Sequence, residues 1–302
     1  MKKIALVLAV ALSSAASFAQ INKGELKQLQ NFLSQPAKEA ATNAEALRIT
    51  NIKDPSTWEG VTVTGNRVTK IDWKDKKLAG TLDLSGFTAL TSVDVSRNAL
   101  TAVTIKGDAA LNELNASRNK LTEINLEGAT SLVKLSINNN RLTEFTLEGT
   151  PIIKSINVAS NLLASLDLNA SPTLETLNCQ SNHLENLSVA NCTALKNLYC
   201  GYNKLTNLDL VGVVKLQNLN LDDNQISGMI VSGLPSLATF VCSDNRMKTL
   251  GMRDCNALMD VVCSYNDLTT FDVSNCPNII FVDCSYNDLS TLNLSNQTFL
   301  QR

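Results

Sequence analysis

Residues 177–187 read Leu177-Asn178-Cys179-Gln180-Ser181-Asn182-His183-Leu184-Glu185-Asn186-Leu187, and residues 198–208 repeat the same apolar phase as Leu198-Tyr199-Cys200-Gly201-Tyr202-Asn203-Lys204-Leu205-Thr206-Asn207-Leu208. The interval is 21 residues, and it extends in both directions. Asparagine stands at 98, 119, 140, 161, 182, 203, 224, 245, 266 and 287. Apolar residues keep step with it: Leu163, Leu184 and Leu205 two positions after, Leu166, Leu187 and Leu208 five after, Leu168, Val189 and Leu210 seven after, and Leu177, Leu198 and Leu219 five before. A strict period of this length marks a repeat architecture, in which each unit is one supersecondary element that cannot bury its apolar face alone.

Within a unit, apolar residues five and three positions before the Asn alternate with polar ones, as a strand buried on one face does. A second alternation, Leu166-Asp167-Leu168, predicts another short strand on the opposite wall, and no segment has room for a long helix. Stacked units pair each strand with its counterpart in the next as parallel sheets, adding about 4.8 Å per coil. About eleven coils give a rod roughly 50 Å long. Stability then comes from nearest-neighbour stacking. The asparagines fall where the chain turns inward after the strand, and their amides offer one acceptor and two donors.

The unit L-x-x-L-x-(L/C)-x-x-N-x-L-x-x-L-x-L resembles the leucine-rich repeat family from about Val68 onward. A column of cysteines three positions before the Asn (Cys179, Cys200, Cys242, Cys263 and Cys284, with Leu221 at the missing rung) resembles the cysteine-ladder subclass of bacterial internalin-like repeats. The resemblance implies an α/β solenoid rich in β: a right-handed coil with parallel strands on the concave face, short strands or irregular segments on the convex face, and a small helical N-terminal cap. Cys192, Cys255 and Cys276 form a second column ten positions after the Asn, where other coils carry Ala129, Val213 and Leu234. Free cysteine packs as a small hydrophobe. An oxidising compartment would permit disulfides, but parallel Cβ vectors on stacked rungs do not favour them. A straight column cannot converge four ligands on zinc, and pairing Cys179 with His183 as a catalytic thiol needs an accessible niche.

The chain opens with Lys2 and Lys3, an apolar run Ile4–Leu12, and small residues ending Ser17-Phe18-Ala19. This pattern is an export signal with cleavage after Ala19, and the run is too short to cross a bilayer. The division expected is therefore 1–19 signal peptide, 20–66 helical cap, and 67–302 leucine-rich repeats in about eleven coils. In the cap, residues 22–48 are expected to be helical, with Leu26, Leu29, Phe32 and Leu33 as one stripe and Pro36 opening a second helix that runs through Ala37, Ala40, Ala41, Ala44 and Leu47. Trp58 and Trp73 suit cap core, with sugar binding as the alternative. Phe299 and Leu300 are candidates for an atypical C-terminal cap; otherwise the last coil is open to end-to-end self-association.

Composition narrows function. The 302 residues carry 26 Lys+Arg against 28 Asp+Glu, so no global field draws nucleic acid, and one histidine excludes a multi-histidine centre. No phosphate-binding loop, nucleophile elbow or zinc-protease motif occurs. No catalytic residue, metal site or cofactor is expected. The outward strand positions vary. Tyr199, Tyr202, Val241, Val262, Tyr265, Phe281 and Tyr286 gather toward the C-terminal half, with Asn220, Asp222 and Asp283 among them. Tyrosines amid apolar residues are typical of protein interfaces. Charge is graded too, from Arg97, Arg118, Lys120, Lys134 and Arg141 in early coils to Asp222, Asp223, Asp244, Asp260, Asp267, Asp283 and Asp288 in late ones. The expectation is an exported, secreted or surface-held (or periplasmic) non-catalytic binding module for a protein or glycoprotein, adhesion or host interaction being implied by the resemblance, with no nucleic acid and no membrane insertion after signal cleavage. The alternatives are a glycan or cell-wall binder, or a surface structural or ice-binding solenoid, for which Thr101, Thr122, Thr143, Thr206 and Thr269 form a column that Ala164, Glu185 and Lys248 interrupt.

Overall fold

The computed structural model describes residues 21–294 and 297–301. The expected signal peptide lies outside them. Helix α1 (Lys23–Leu33) is followed by the short α2 (Asn43–Ala46), a single turn at 55–57, and an antiparallel pair, β1 (Val61–Thr64) with β2 (Arg67–Asp72). From β2 onward one wall is a parallel sheet, its strands joined in chain order from Ser92–Asp94 through Thr176–Asn178 and Asn197–Tyr199 to Asp260–Val262 and Phe281–Asp283. Thr176, Leu177 and Asn178 pair with Asn197, Leu198 and Tyr199, a register step of one repeat. In these three-residue strands the middle side chain is buried and the flanking two are half-buried in nearly every coil. The core is one continuous apolar column from Leu29 of α1 to Ile279.

The opposite wall is broken. Its short strands form separate groups: β3 (Ala79–Asp83) with Ala99–Thr104 and Glu123–Asn125, then Ser165–Asp167 with Asn186–Ser188, then Met229–Ser232 with Thr249–Arg253 and Thr270–Asp272. At the first break Glu144 follows Glu123 and Glu148 follows Glu127 one repeat on, lining a common groove. Like charges directly opposite one another oppose pairing. Three threonines of the column are structural: Thr101, Thr122 and Thr269 each donate a hydroxyl to a carbonyl of the preceding coil.

Each repeat asparagine bridges its own turn to the coil before. The Asn182 Oδ1 accepts from the Leu163 N–H (3.1 Å), and its Nδ2 donates to the carbonyls of Val158 (3.1 Å), Cys179 (3.0 Å) and Gln180 (3.3 Å). Asn203 repeats this on Leu184, Cys179, Cys200 and Gly201. The same bonds run from Asn98 at the start to Asn287 at the end.

The N-terminal segment departs from the expected helical run. Residues 36–42 are not helical. The Lys38 N–H donates to the Lys77 carbonyl, Asn43 N–H to Gln35 O, and Thr42 caps α2 by accepting from Glu45 N–H. The segment is thus held against the first coil instead of against itself. Two carboxamides stand where β3 lacks a neighbouring strand. Gln35 donates to Thr81 O (2.9 Å) and accepts from Thr81 N–H (2.8 Å); Asn43 does the same for Ala79 (2.9 and 3.0 Å). Between them Gly80, at φ +85°, leaves room that a Cβ would take from Gln35. Glu25 is buried, with its carboxylate accepting from Arg67 Nε (2.6 Å) and Val68 N–H (2.9 Å). Trp58 and Trp73 are buried, Trp73 stacking on Phe32 at 5.8 Å, which removes both as sugar platforms. At the far end Leu300 is half-buried, but Phe299 is 61% exposed. The inward residue there is Gln297, whose Nε2 donates to Val273 O (3.0 Å).

Gln297 belongs to the column ten positions after the repeat Asn, as does Asp108, a fully buried carboxyl near the start of the rod. Neither Asp108 oxygen has a well-formed hydrogen bond. Burial pushes its pKa up to about 7, against the pull of the Phe87 and Gly86 N–H groups.

Two predictions follow from these contacts. Asn203→Ala orphans buried backbone groups on two coils and is expected to cost about 1–3 kcal/mol, read as a lower denaturation midpoint; an unchanged midpoint contradicts the bridging role. A carboxyl whose folded pKa lies above its unfolded value of about 3.9 contributes full stability below that value, and the contribution is lost as pH rises through about 7. Relative to the parent, Asp108→Asn is therefore expected to gain stability from pH 4 to pH 8, by roughly a few kcal/mol. A gap between the two that does not change with pH contradicts this.

Candidate functional site

The cysteines do not form a site. Seven of the eight are buried, Cys284 is half-buried, and all are free. Burial pushes Cys179 and Cys263 up to about 12 and Cys192 to about 11, so these three sulfurs remain protonated, while the Cys276 thiol beside Cys255 draws that one below its ordinary value. In the second column Cys192 donates its thiol to Leu168 O (3.3 Å) and Cys276 to Met252 O (3.6 Å), the bond that Gln297 makes with an amide. His183 is exposed while Cys179 is buried, so the two do not meet as a catalytic pair. Among the described residues no group of three or more His, Cys, Asp or Glu could hold a metal ion.

What remains variable is the outward face of the long sheet and the turn beside it. Sheet register places Tyr199, Asn220, Val241, Val262 and Asp283 in one line. All five are half-buried against their neighbours. Phe281, at the last strand, is 49% exposed. The turn line, immediately before each Asn, carries Tyr202, Asp223, Asp244, Tyr265 and Tyr286. Asp223 and Asp244 therefore separate Tyr202 from the pair Tyr265–Tyr286. By coil the candidate aromatics fall into two groups, Tyr199 and Tyr202 on one rung and Tyr265, Phe281 and Tyr286 on the last two, with Asp223 and Asp244 on the rungs between. The Tyr265 and Tyr286 rings stack at 4.2 Å and 10°. The neighbouring Tyr286 hydroxyl holds the Tyr265 phenol above its ordinary pKa, so that ring stays neutral. Asp222 sits half-buried between the groups, accepting from Ser243 N–H (2.8 Å) and Asn220 Nδ2 (3.2 Å). Burial raises its pKa, and the nearby Asp244 and Asp223 push the same way.

The backbone of the turn line escaped sequence reasoning. Every residue directly before a repeat Asn has a positive φ, from Arg97 at 59° to Tyr286 at 53°. This left-handed conformation costs an L-residue about 1–2 kcal/mol, least for Asn and Asp, which can bond locally. The signal available was the Asn, Ser and Asp at five of these positions, residues at home in turns. Against them Tyr202, Tyr265 and Tyr286 stand out as bulky side chains in a backbone that disfavours them. They are 56%, 51% and 70% exposed.

Stacked 21-residue coils, a buried amide column and a strand wall with a variable outer face define the class: the chain is a leucine-rich repeat solenoid, a fold that suggests a protein-binding module. Residues 215–237 match the family model described as Leucine Rich Repeat. No curated protein is significantly similar in sequence. Among solved structures, the leucine-rich repeat domain of APL1B aligns over 70% of this chain and 66% of its own at 24% identity and a TM-score of 0.62. YopM, a leucine-rich effector protein from Yersinia pestis, aligns over 71% of each chain at 24% identity and a TM-score of 0.55. The functional domain of InlJ from Listeria monocytogenes, described as including a cysteine ladder, aligns over 85% of this chain and 74% of its own at 18% identity and a TM-score of 0.47, too distant a superposition to say more. The chain covers just under two thirds of the APL1B domain. The likenesses to the APL1B domain and to YopM establish the fold. Among the described residues no helix is long and apolar enough to cross a membrane.

Proposed function

We propose that this chain is a non-catalytic, extracytoplasmic binding module that engages a protein or glycoprotein through the outer face of its long sheet, at Tyr199, Tyr202, Asn220, Asp222, Val241, Val262, Tyr265, Phe281, Asp283 and Tyr286. Residues 1–19 act as its export signal, 20–66 as its cap and 67–302 as the repeats. The observation that carries this reading is the placement of three exposed tyrosines in left-handed backbone, where Asn, Ser or Asp serves equally well for the fold in other coils. A side chain that costs stability and contributes nothing to the core is retained for what it touches outside. Tyrosine supplies large contact area, a polar tip and little rotamer entropy, which suits protein surfaces. The acidic surroundings disfavour nucleic acid, whose phosphates they repel.

The test is affinity capture from cell-envelope and host-surface fractions, with Tyr199→Ala/Phe281→Ala/Tyr286→Ala as control. Proteins retained by the parent and lost by the variant, with melting midpoints matched, are the expected result. Parent and variant retaining the same proteins, or the variant losing only protein-free glycans on an array, would overturn it.

A further inference from the structure

Beyond the binding reading, on which it rests, the chemistry of this face selects one kind of partner. The turn line runs Tyr202, Asp223, Asp244, Tyr265, Tyr286 on successive rungs, a stripe about 20 Å long. Along it lie further carboxylates: Asp222, Asp260, Asp267, Asp283 and Asp288. Facing cations are few. Lys204 and Arg246, each one residue beyond the repeat Asn, are the basic side chains of the adjoining turns. Every ion pair among the described residues lies at Lys196 or earlier in the chain, so none of these carboxylates is neutralised by one. Asp222 and Asp283 are engaged by Ser243 and Ser285. Asp223 and Asp244 are exposed. The stacked Tyr265–Tyr286 pair forms an aromatic platform at one end, and Tyr202 stands exposed at the other.

We propose that the sheet face between Tyr202 and Tyr286 docks an arginine-bearing cationic segment of a partner protein. A guanidinium group is planar, weakly hydrated and forked. It stacks on an aromatic face while donating two hydrogen bonds to a carboxylate, which an ammonium does not do. Aromatic rings separated by paired carboxylates offer both contacts within one or two rungs. The field also steers a cationic segment in and turns an anionic one away. Early coils carry Arg97, Arg118, Lys120 and Arg141 on the corresponding turns, so the preference belongs to the C-terminal half and not to the whole rod.

The probe is a fluorescein-labelled arginine–serine repeat peptide long enough to span the stripe, with lysine–serine and glutamate–serine counterparts, read by anisotropy on the folded protein. The arginine peptide is expected to bind, more weakly as salt rises, the lysine peptide less well, and the glutamate peptide not at all. Asp222→Asn/Asp223→Asn/Asp244→Asn keeps side-chain shape and is expected to weaken arginine-peptide binding at least about tenfold, as is Tyr265→Ala/Tyr286→Ala. Glu123→Gln/Glu144→Gln/Glu148→Gln removes as many charges from the opposite wall and is expected to leave binding unchanged. Equal loss in that control, equal binding by all variants, or no binding of the arginine peptide overturns the proposal. So does concentration-dependent self-association, seen by sedimentation without peptide, that the aspartate variant abolishes. If capture of protein partners still depends on Tyr199, Phe281 and Tyr286 while the aspartate variant captures them normally, the cationic partner is wrong and the binding reading stands. If capture is indifferent to the aromatic residues, the binding reading itself has failed.

Discussion

One amide per coil closes this structure. A solenoid turn must bury its inner loop, and buried backbone groups must be paired. The repeat asparagine meets that constraint by accepting from the coil before while donating to carbonyls of both coils, as Asn182 does toward Leu163, Val158 and Cys179. Once the amide is fixed, the residue before it is forced into the left-handed region and out toward solvent. The residue three before it turns inward, where Val158, Cys179 and Cys200 serve alike as buried apolar groups. The strand is left only three residues long. The core is uniform because every coil must satisfy the same bridge, and the outer face is free to vary because nothing in the bridge depends on it.

The repeat itself was legible in the sequence, because its cause is local and periodic. The core columns, the amide column, the inward cysteines and the outward positions all follow from one 21-residue phase. What was not legible lies where the period stops. Gln35 and Asn43 complete the edge of β3 from 46 and 36 residues away, and Glu25 reaches Val68 from 43. No spacing announces such contacts. The helix expected beyond Pro36 failed for the same reason: the alanines there satisfied a helical pattern, while the backbone of 35–43 found partners on the first coil and on Asn43. Asp108 was hidden differently, in a column where Ala129, Val213 and Leu234 suggest an apolar lining although Thr150, Ser171 and Gln297 share it. At the site, the candidate residues were named by their outward phase, but their division into two aromatic groups and the left-handed backbone beneath three of them required coordinates.

Seen from its surface, the chain keeps its chemistry away from its core. Burial raises the thiols of Cys179 and Cys263 beyond use, and the one histidine is exposed, apart from the buried Cys179. Like Arg97 and Arg118 of the early coils, the tyrosines of the turn line break local preference. They break it outward, beside carboxylates left without ion pairs among the described residues. Local inconsistency of this kind is where function is to be sought in an otherwise self-consistent repeat.

Residue-resolved native-state hydrogen exchange on the full chain tests the amide bridge most directly. The N–H groups of Leu163, Leu184 and Leu205, each two residues past one asparagine and bonded to the next, should exchange only with cooperative opening of the rod, as slowly as the strand amides of Leu177 and Leu198. Exchange of those three as fast as the amides of exposed turns would show that the asparagines do not hold the coils together.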